Sequence, residues 1–303
     1  MPDPGFFLQQ AQLRLNNFLI QTLKQQPVLM PGHAQALEWL CEAQLYSIRN
    51  GGKRLRPALV YAVAQSLDGE LNTHDADLLA AALECIHSYS LIHDDLPAMD
   101  NDSLRRGQPS CHIAFDEATA ILAGDGLQAF AYELLAQLTE VPPAQALAII
   151  RYLARASGNK GMVGGQMIDL QATNKTPDIT QMEYMHRLKT GALIQAAVLM
   201  PAIAMQADQT TQTALAHYAR AIGLAFQVQD DILDIESDTE TLGKSQGADE
   251  RLNKPTYPSL LGLELARQKA AELIEQAHAA LAGIKTDCRL LHELADFITR
   301  RRY

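Results

Sequence analysis

Cysteines are scarce in this 303-residue chain, and their arrangement excludes two classes of protein. The sequence has only four of them, with no CxxC pair and no spacing of the kind that zinc sites use. A disulfide-stabilised secreted domain and a cysteine-based metal site are therefore both disfavoured. The pattern predicts reduced thiols in the core of a cytoplasmic protein.

Positive charge is also in deficit, and long apolar runs are missing. Lys and Arg number 25 against 35 Asp and Glu, which gives a net charge of −10 and argues against nucleic acid as a partner. The N-terminal residues contain no basic region followed by an apolar run, so we expect no signal peptide. The most apolar stretch, Ala192 to Met205, is shorter than the roughly 20 residues that a membrane span needs. We therefore expect a cytoplasmic protein without a membrane span.

Strand patterns, repeats and low-complexity segments are absent as well. The chain is 48% hydrophobic with modest glycine and proline, which argues against disorder. Alanine is abundant and β-branched residues are sparse, so helix is favoured. Apolar residues at helical spacing predict a single all-α domain over residues 1–303. We predict breaks near Gly124–Gly126 and at Lys189–Gly191, one continuous helix from Thr256 to Ile284, and a polar lid from Glu236 to Lys254.

The most informative stretch is Ile92 to Gly107. It contains Asp94, Asp95, Asp100 and Asp102, followed at once by Arg105 and Arg106. Pro97 ends or kinks the preceding apolar helix, so Asp94 and Asp95 fall in its last turn, where the helix dipole favours a cation. A local insertion at Pro97 is expected to bring Asp100 back round. Carboxylates of this kind suit Mg²⁺, and arginines close by would bind phosphates on the same ion.

The sequence contains a second acidic run. Its presence makes it less satisfactory to explain the first acidic run as a charged surface turn. Gln227, Asp230, Asp231 and Asp234 fall at offsets 0, 3, 4 and 7, on one face of a helix. Like charges at this spacing destabilise a helix, and a divalent cation would compensate. The two acidic clusters are expected to face each other in a bundle, where metal sites are built.

A basic turn precedes both acidic runs. Gly51-Gly52 ends a predicted helix, and Lys53, Arg54 and Arg56 follow at the start of the next one. Three cations at a helix start oppose the helix dipole. A diphosphate would relieve that conflict and use the free N–H groups. The alternative is an exposed basic turn without a ligand.

Taken together, these motifs resemble the trans-prenyltransferase (polyprenyl synthetase) family, and bacterial farnesyl diphosphate synthases most closely. The resemblance rests on segments in consistent order from about Gly51 to Leu263. They are Gly51–Pro57, Asp94–Asp100, Arg105–Gly107, Lys189–Gly191, Phe226-Gln227, Asp230–Asp234 and Leu242–Lys244. Departures are small, with Ser110 where threonine is typical and Ile113 where a basic residue is typical.

The resemblance implies a fold, a reaction and a metal. The fold is an isoprenoid synthase-type bundle of about ten to thirteen helices around a central cavity, in a homodimer. The reaction joins isopentenyl diphosphate to dimethylallyl or geranyl diphosphate, by ionisation, condensation and proton loss. Three Mg²⁺ ions are expected on Asp94, Asp95, Asp100, Asp230, Asp231 and Asp234.

The resemblance also implies roles for other polar residues. The expected catalytic residues are Asp94, Asp95, Asp100, Arg105, Lys189, Asp230 and Lys244. Isopentenyl diphosphate is expected on Gly52, Lys53, Arg56, His87 and Arg106. The remaining substrate-binding positions are Arg105, Lys189, Thr190, Gln227, Lys244 and Lys254. The tail Arg300–Tyr303 is expected to be a surface feature.

Product length is expected to depend on the residues before the first acidic motif. Tyr89 lies five positions before Asp94, and an aromatic there is typical of farnesyl-length bacterial enzymes. A helical wheel alone favours Ser90, one turn back from Asp94, and Tyr89 could simply be a core aromatic. Geranylgeranyl diphosphate synthesis is the main alternative. A terpene cyclase and a non-catalytic partner subunit are less favoured, because the basic turn and all six aspartates are present.

Overall fold

The computed structural model of the chain describes residues 4–25, 34–52, 54–172, 178–236 and 256–301. Within these residues the protein is almost entirely helical, with twelve α-helices of eight or more residues. The all-α prediction is therefore confirmed, and the number of helices lies in the predicted range. No helix in the described part of the chain is long and apolar enough to cross a membrane.

One compact unit comprises Met1–Ala58 and Thr73–Thr139. Its helix α4 is buried along nearly its whole length and packs mainly on α6. Because α4 is rich in leucine and alanine, it forms the core of this unit. The elements are α1 (Pro4–Lys24), α2 (Ala34–Arg49), the first turn of α3 (Leu55–Ser66), α4 (Thr73–Asp94), β1 (Leu104–Arg105), β2 (Gln108–Pro109), α5 (Cys111–Ala114) and α6 (Glu117–Ala136).

The other compact unit comprises Leu59–Asn72 and Glu140–Tyr303. Its longest helix, α11, packs mainly on α13 and also contacts α10 and α14. After the rest of α3, its elements are α7 (Pro143–Ser157), α8 (Met162–Ala172), α9 (Ile179–His186), a π-helical turn (Arg187–Gly191), α10 (Ala192–Ala204), α11 (Gln209–Glu236), α12 (Tyr257–Leu261), α13 (Leu263–Leu281) and α14 (Arg289–Arg300).

The predicted break near Gly124–Gly126 is wrong. Helix α6 runs through these glycines without interruption, and the break comes earlier, between α5 and α6 at Phe115 and Asp116. A Cβ at Gly124 would overlap the imidazole of His93 on α4. The glycine therefore permits close packing of two helices and does not end one.

Two further predictions about local structure need correction. The expected continuous helix from Thr256 to Ile284 is divided at Gly262, whose φ of +84° favours glycine, into α12 and α13. A two-residue antiparallel hairpin, β1–β2, also follows the first acidic motif, where no strand was expected. Most of the lid predicted from Glu236 to Lys254 lies outside the described residues.

Candidate active site

In the first acidic motif the chain folds back so that Asp100 lies beside Asp94, as the sequence predicts. Helix α4 ends at Asp94, and the chain then turns through Pro97. The N–H of Asp100 donates to the carbonyl of Asp94 at 2.9 Å, so the two residues are joined through the backbone despite their separation of six positions. Both side chains remain partly exposed. The turn therefore presents two carboxylate groups from one short segment.

Asp95 has a different environment from its neighbours. It is only 2% exposed. The guanidinium of Arg105, on β1, donates to both oxygens of its carboxylate, with Nε at 3.0 Å from Oδ1 and 3.2 Å from Oδ2. The hairpin thus supplies the arginine that neutralises Asp95. In this structure Asp95 fixes the motif against the hairpin.

The basic turn is fixed by Arg54, which the sequence places in that turn but to which no role was assigned. Arg54 has a φ of +47° and points inward, with its side chain 2% exposed. It forms a buried ion pair with Glu84 on α4 and donates to the carbonyl of Ile48. Its Nη2 also lies 3.3 Å from Asn16 Oδ1. Arg54 therefore anchors the turn and leaves ligand binding to its neighbours.

Four arginines lie near His87, which is one of the residues predicted to bind isopentenyl diphosphate. Burial and the charges of Arg56, Arg106, Arg54 and Arg105 lower the pKa of His87 well below its usual value. The imidazole is therefore neutral at pH 7. We call these four arginines with His87 the basic cluster. Its members lie in one compact unit, just before and on α3, on α4 and in the hairpin segment.

Glycine at position 52 is required by the basic cluster. A Cβ there would lie 2.5 Å from the guanidinium carbon of Arg106, and Gly52 itself has a φ of +111°. Arg106 also donates to the carbonyl of Gly51. Burial, opposed by Glu84 and reinforced by neighbouring arginines, lowers the pKa of Arg106 to about 10. Arg106 makes no ion pair within the described residues, so an anion beside it would be stabilising.

The two candidates for control of product length differ in setting. Tyr89 is 5% exposed and packs edge-on against His93, with ring centroids 5.7 Å apart. Burial raises the pKa of its phenol. The hydroxyl of Ser90 instead donates to the carbonyl of His87 at 2.9 Å, back onto its own helix. Tyr89 is thus the bulkier and more enclosed of the two.

The second acidic motif divides in a similar way. Asp231 is 2% exposed and accepts from Gln227 Nε2 and from the backbone N–H of Tyr257, both at 2.9 Å. Asp230 and Asp234 keep part of their surface exposed. The buried aspartate therefore joins α11 to the start of α12, whereas Asp230 and Asp234 stay partly accessible to solvent.

The predicted interruption at Lys189–Gly191 is a π-helical turn. Lys189 Nζ lies 2.6 Å from Asp169 Oδ2 on α8, and Thr190 Oγ1 donates to Gln227 Oε1 at 3.1 Å. A Cβ at Gly165 would overlap the backbone of Lys189, so α8 approaches the turn very closely. Such turns are frequent at functional sites. A chain of hydrogen bonds runs from Thr190 through Gln227 to Asp231.

The expectation that the C-terminal tail lies on the surface is wrong for Arg301. This residue is 6% exposed and stacks over the ring of Phe226 at 4.0 Å. Its Nη2 donates to the carbonyl of Phe226 at 2.8 Å and pairs with Asp230 Oδ1 at 2.6 Å. The end of α14 therefore contacts the second acidic motif directly.

The predicted site residues and the polar residues found at the site differ in two ways. Lys53, Lys244 and Lys254 lie outside the described residues. The predictions missed Arg54, Glu84, Asp169 and Arg301. Two of these had a signal in the sequence, because Glu84 interrupts an otherwise apolar helix and Asp169 lies in a glycine-rich segment. A lone charge in a buried helix needs a partner.

The carboxylates that remain partly exposed have the chemistry that Mg²⁺ needs. Within the described residues, no three His, Cys, Asp or Glu side chains come together as a metal cluster. Mg²⁺ usually takes one or two protein carboxylates and completes its shell with water and substrate phosphates. Asp94 with Asp100, and Asp230 with Asp234, supply pairs of oxygen donors of that kind. The residues present therefore fit this ion.

Comparison with known proteins identifies the family. The model of the polyprenyl synthetase family matches residues 37–289. The chain belongs to the polyprenyl synthetase family. It is 50% identical over 297 residues to farnesyl diphosphate synthase of Haemophilus influenzae. That alignment covers 97% of this chain and 97% of the relative. It is 53% identical over 266 residues to farnesyl diphosphate synthase of Escherichia coli, covering 86% of this chain and 88% of the relative.

One solved structure to which the chain is similar carries ligands. It is a geranyltransferase from Helicobacter pylori complexed with magnesium and isoprenyl diphosphate. The two proteins are 33% identical with a TM-score of 0.81, covering 99% of this chain and 97% of that one. The prediction of a trans-prenyltransferase is confirmed by these comparisons.

Proposed function

We propose that this protein is a farnesyl diphosphate synthase. It condenses isopentenyl diphosphate with dimethylallyl diphosphate and then with geranyl diphosphate. The observation that carries the proposal is the basic cluster, in which the charges of four arginines and burial keep His87 neutral and Arg106 lies against Gly52. A diphosphate site of this kind, in addition to aspartate motifs, suits an enzyme with two diphosphate substrates. A terpene cyclase has only one, so the basic cluster disfavours that alternative.

The aspartates are proposed to hold Mg²⁺, with three ions per active site. The exposed pairs Asp94 with Asp100 and Asp230 with Asp234 are the direct ligands we favour. Asp95 and Asp231 are each only 2% exposed and accept hydrogen bonds from protein donors, so we assign them a positioning role beside the metal. Asp230 also pairs with Arg301, but it keeps part of its surface exposed. When bound, Mg²⁺ supplies Lewis-acid stabilisation of the negative charge that develops on the leaving diphosphate.

The chain's own residues bind, orient and shield the substrates. Arg56, Arg106 and His87 hold the diphosphate of isopentenyl diphosphate, and the neutral imidazole adds a hydrogen bond without further charge. Lys189 and Arg105 stabilise the diphosphate that leaves when the allylic C–O bond ionises. The double bond of isopentenyl diphosphate attacks the allylic cation, and a proton then leaves to the departing diphosphate.

Several finer points remain predictions of this proposal. Lys53, Lys244, Lys254, Thr190 and Gln227 complete the predicted substrate contacts. Homodimer formation is supported by exposed apolar side chains on α6, where Ile121 is 44% and Leu122 57% exposed. The single catalytic domain over residues 1–303, the central cavity shared by both aspartate motifs and the cytoplasmic location rest on the sequence.

Product analysis tests the proposal most directly. The full chain is incubated with Mg²⁺, isopentenyl diphosphate and dimethylallyl diphosphate, and the products are separated by carbon number after dephosphorylation. We expect fifteen carbons as the main product. Twenty carbons would indicate geranylgeranyl diphosphate synthesis, a cyclic hydrocarbon would indicate a cyclase, and no product would indicate a non-catalytic subunit. Each of those three results would contradict the proposal.

A further inference from the structure

A cavity of about 890 Å³ lies within the unit formed by Leu59–Asn72 and Glu140–Tyr303. It is bounded by α7, the π-helical turn, α10 and α11. None of the predicted catalytic or substrate-binding residues that the structure describes lines it. Its size is within the range of roughly 300–1,000 Å³ that is usual for small-molecule sites.

The charge of this cavity is unlike that of the chain. Among the described residues that line it there is no aspartate or glutamate, although the protein carries a net charge of −10. Five cations from the described part of the chain line it, namely Arg151, Arg155, Lys160, Arg187 and Arg220. A concave surface with one sign of charge concentrates ions of the opposite sign. The cavity therefore selects for an anion.

Four of these cations have no carboxylate partner among the residues that the structure describes. Arg187 pairs with Glu183 at 3.3 Å, but Arg151, Arg155, Lys160 and Arg220 form no ion pair within the described ranges. All four residues are exposed to solvent, so their mutual repulsion is largely screened. Their combined positive potential on a concave surface would attract an anionic ligand.

Cations from different helices act on one point in the cavity. Tyr152 lines it, and burial raises the pKa of its phenol. The charges of Arg220 on α11 and Arg155 on α7 both oppose that shift. Two guanidinium groups from separate helices therefore lie within electrostatic reach of one phenol. Guanidinium groups that line one cavity from two helices are suited to phosphate oxygens.

The cavity also touches the element that carries two predicted active-site residues. Arg187 and Leu188, in the first half of the π-helical turn, line it. Lys189 and Thr190 follow directly and contact Asp169 and Gln227. A ligand held by Arg187 would thus act on the same short turn that sets Lys189 and Thr190. Coupling of two sites needs such a shared element.

We propose that this cavity is a second anion site, which binds a small polyanion of the phosphate class and thereby changes the setting of Lys189 and Thr190. The effect on catalysis rests on the proposed function, whereas the binding does not. A small ligand is favoured over an acidic protein because the cationic surface is concave and of limited volume.

Calorimetry with inorganic tripolyphosphate tests the binding. It is titrated in EDTA, so that no metal is needed, into the wild-type full chain and into Arg56→Ala, which weakens the basic cluster. We expect Arg56→Ala to retain one class of site. Replacing Arg151, Arg155 and Arg220 together by alanine in that background should weaken the remaining site at least tenfold. Replacing the same three by lysine should restore most of the affinity.

Two controls make the result decisive. Lys285→Ala removes an exposed cation that does not line the cavity, and it should leave the affinity unchanged. Hydrogen exchange should show that tripolyphosphate alters protection at residues 187–191 in Arg56→Ala but not in the variant that also lacks the three arginines. Unchanged affinity in the latter variant, or binding without any change at 187–191, would overturn the proposal. Failure of product analysis would leave this binding result standing.

Discussion

Glu84 is the buried counter-ion of the basic turn, and its removal should separate binding from catalysis. Glu84→Gln leaves the charge of Arg54 buried without its partner, which typically costs about 3–5 kcal/mol. Because Arg54 anchors the loop that precedes Arg56, we expect the KM for isopentenyl diphosphate to rise more than the KM for the allylic substrate. Steady-state kinetics and urea unfolding measure the two effects.

Glu42 provides the matched comparison for Glu84 in the same compact unit. It faces Arg49 at 3.9 Å with both side chains largely exposed, and such pairs contribute about 0–1 kcal/mol. Glu42→Gln should therefore leave stability and both KM values near wild type. A stable Glu84→Gln enzyme with unchanged KM for isopentenyl diphosphate would show that Arg54 does not hold the binding loop.

Tyr89 is predicted to stop chain growth at fifteen carbons. Tyr89→Ala removes a buried ring before the first acidic motif, and we expect products of twenty carbons or more. Ser90→Ala is the control, because the Ser90 hydroxyl bonds only back to its own helix among the contacts described and is not a barrier. Product chromatography decides the matter once circular dichroism shows that Tyr89→Ala is folded. A folded, active Tyr89→Ala that still stops at fifteen carbons contradicts the assignment.

His186 should make the protein less stable at mildly acidic pH. Burial lowers its pKa to about 4, whereas an unfolded histidine titrates near 6.5. Below pH 6.5 the unfolded chain therefore binds the proton preferentially, and the free energy of unfolding falls as the pH drops toward 4. Between pH 7.5 and 5.5 this one group should account for a loss of about 1 kcal/mol.

Comparing variants isolates that contribution, because His87 acts in the same direction. His186→Gln should lose about 1 kcal/mol less than wild type between these pH values. His217→Gln, which alters an exposed histidine on α11, should follow wild type. Urea titrations at pH 7.5 and 5.5 give the comparison. Identical pH dependence of wild type and His186→Gln would contradict the role of burial.

At the residue scale, the sequence predicted which side chains carry charge to the site but not how they divide their work. Spacing cannot distinguish Asp94 from Asp95, because both fall in the last turn of α4. The structure separates them through Arg105, whose position depends on the hairpin β1–β2. Similarly, Arg54 and Arg56 read alike in the sequence, and only the buried Glu84 explains why Arg54 turns inward.

At the scale of elements, apolar periodicity predicted the helices well, but glycine positions did not predict where helices end. Gly124 was expected to break a helix, and instead it allows α6 to pack against His93 of α4. Gly262 was expected to lie within a helix, and instead its positive φ divides α12 from α13. A glycine serves close packing or a turn equally well, and the choice depends on neighbours that are distant in sequence.

The contact between α8 and the π-helical turn should depend on Gly165. Gly165→Ala places a Cβ into the backbone of Lys189, which cannot yield without moving the turn. We expect a loss of stability of about 2 kcal/mol or more and a raised KM for the allylic substrate, since Lys189 is displaced.

Gly283→Ala is the control for Gly165 in the same compact unit. Nothing lies within 4 Å of a Cβ at Gly283, so this change should be neutral or slightly stabilising. Thermal unfolding of both variants measures the difference. A Gly165→Ala protein as stable and active as Gly283→Ala would show that the close approach has no energetic importance.

At the scale of the whole molecule, the sequence was sufficient for fold class and family. Leucine and alanine at helical spacing specify a helical core, and the order of the motifs specifies the chemistry. Contacts of the chain end were harder to foresee. Arg301 follows α14 by a single residue, and no local pattern indicates that it will reach Asp230. Such pairings depend on how α14 and α11 pack.

Metal removal should separate folding from activity in the whole enzyme. The described core is built by apolar burial, and no cluster of three metal-binding side chains is found among the residues that the structure describes. EDTA should abolish product formation, because the proposed reaction needs Mg²⁺. It should leave the midpoint of thermal unfolding unchanged, because the core does not depend on a metal. Adding Mg²⁺ with inorganic diphosphate should raise that midpoint, because ligands that bind only the folded state stabilise it.

Aspartate variants complete the test of metal dependence. Asp94→Ala and Asp230→Ala should each lower turnover by about 10³-fold or more, since each removes a proposed metal ligand that would support charge on the leaving group. They should also lose the increase in unfolding midpoint that Mg²⁺ and diphosphate give together. Asp68→Ala, at an exposed position away from both motifs, should behave as wild type. Full turnover in EDTA, or an undiminished midpoint shift in both aspartate variants, would rule out these carboxylates as the metal site.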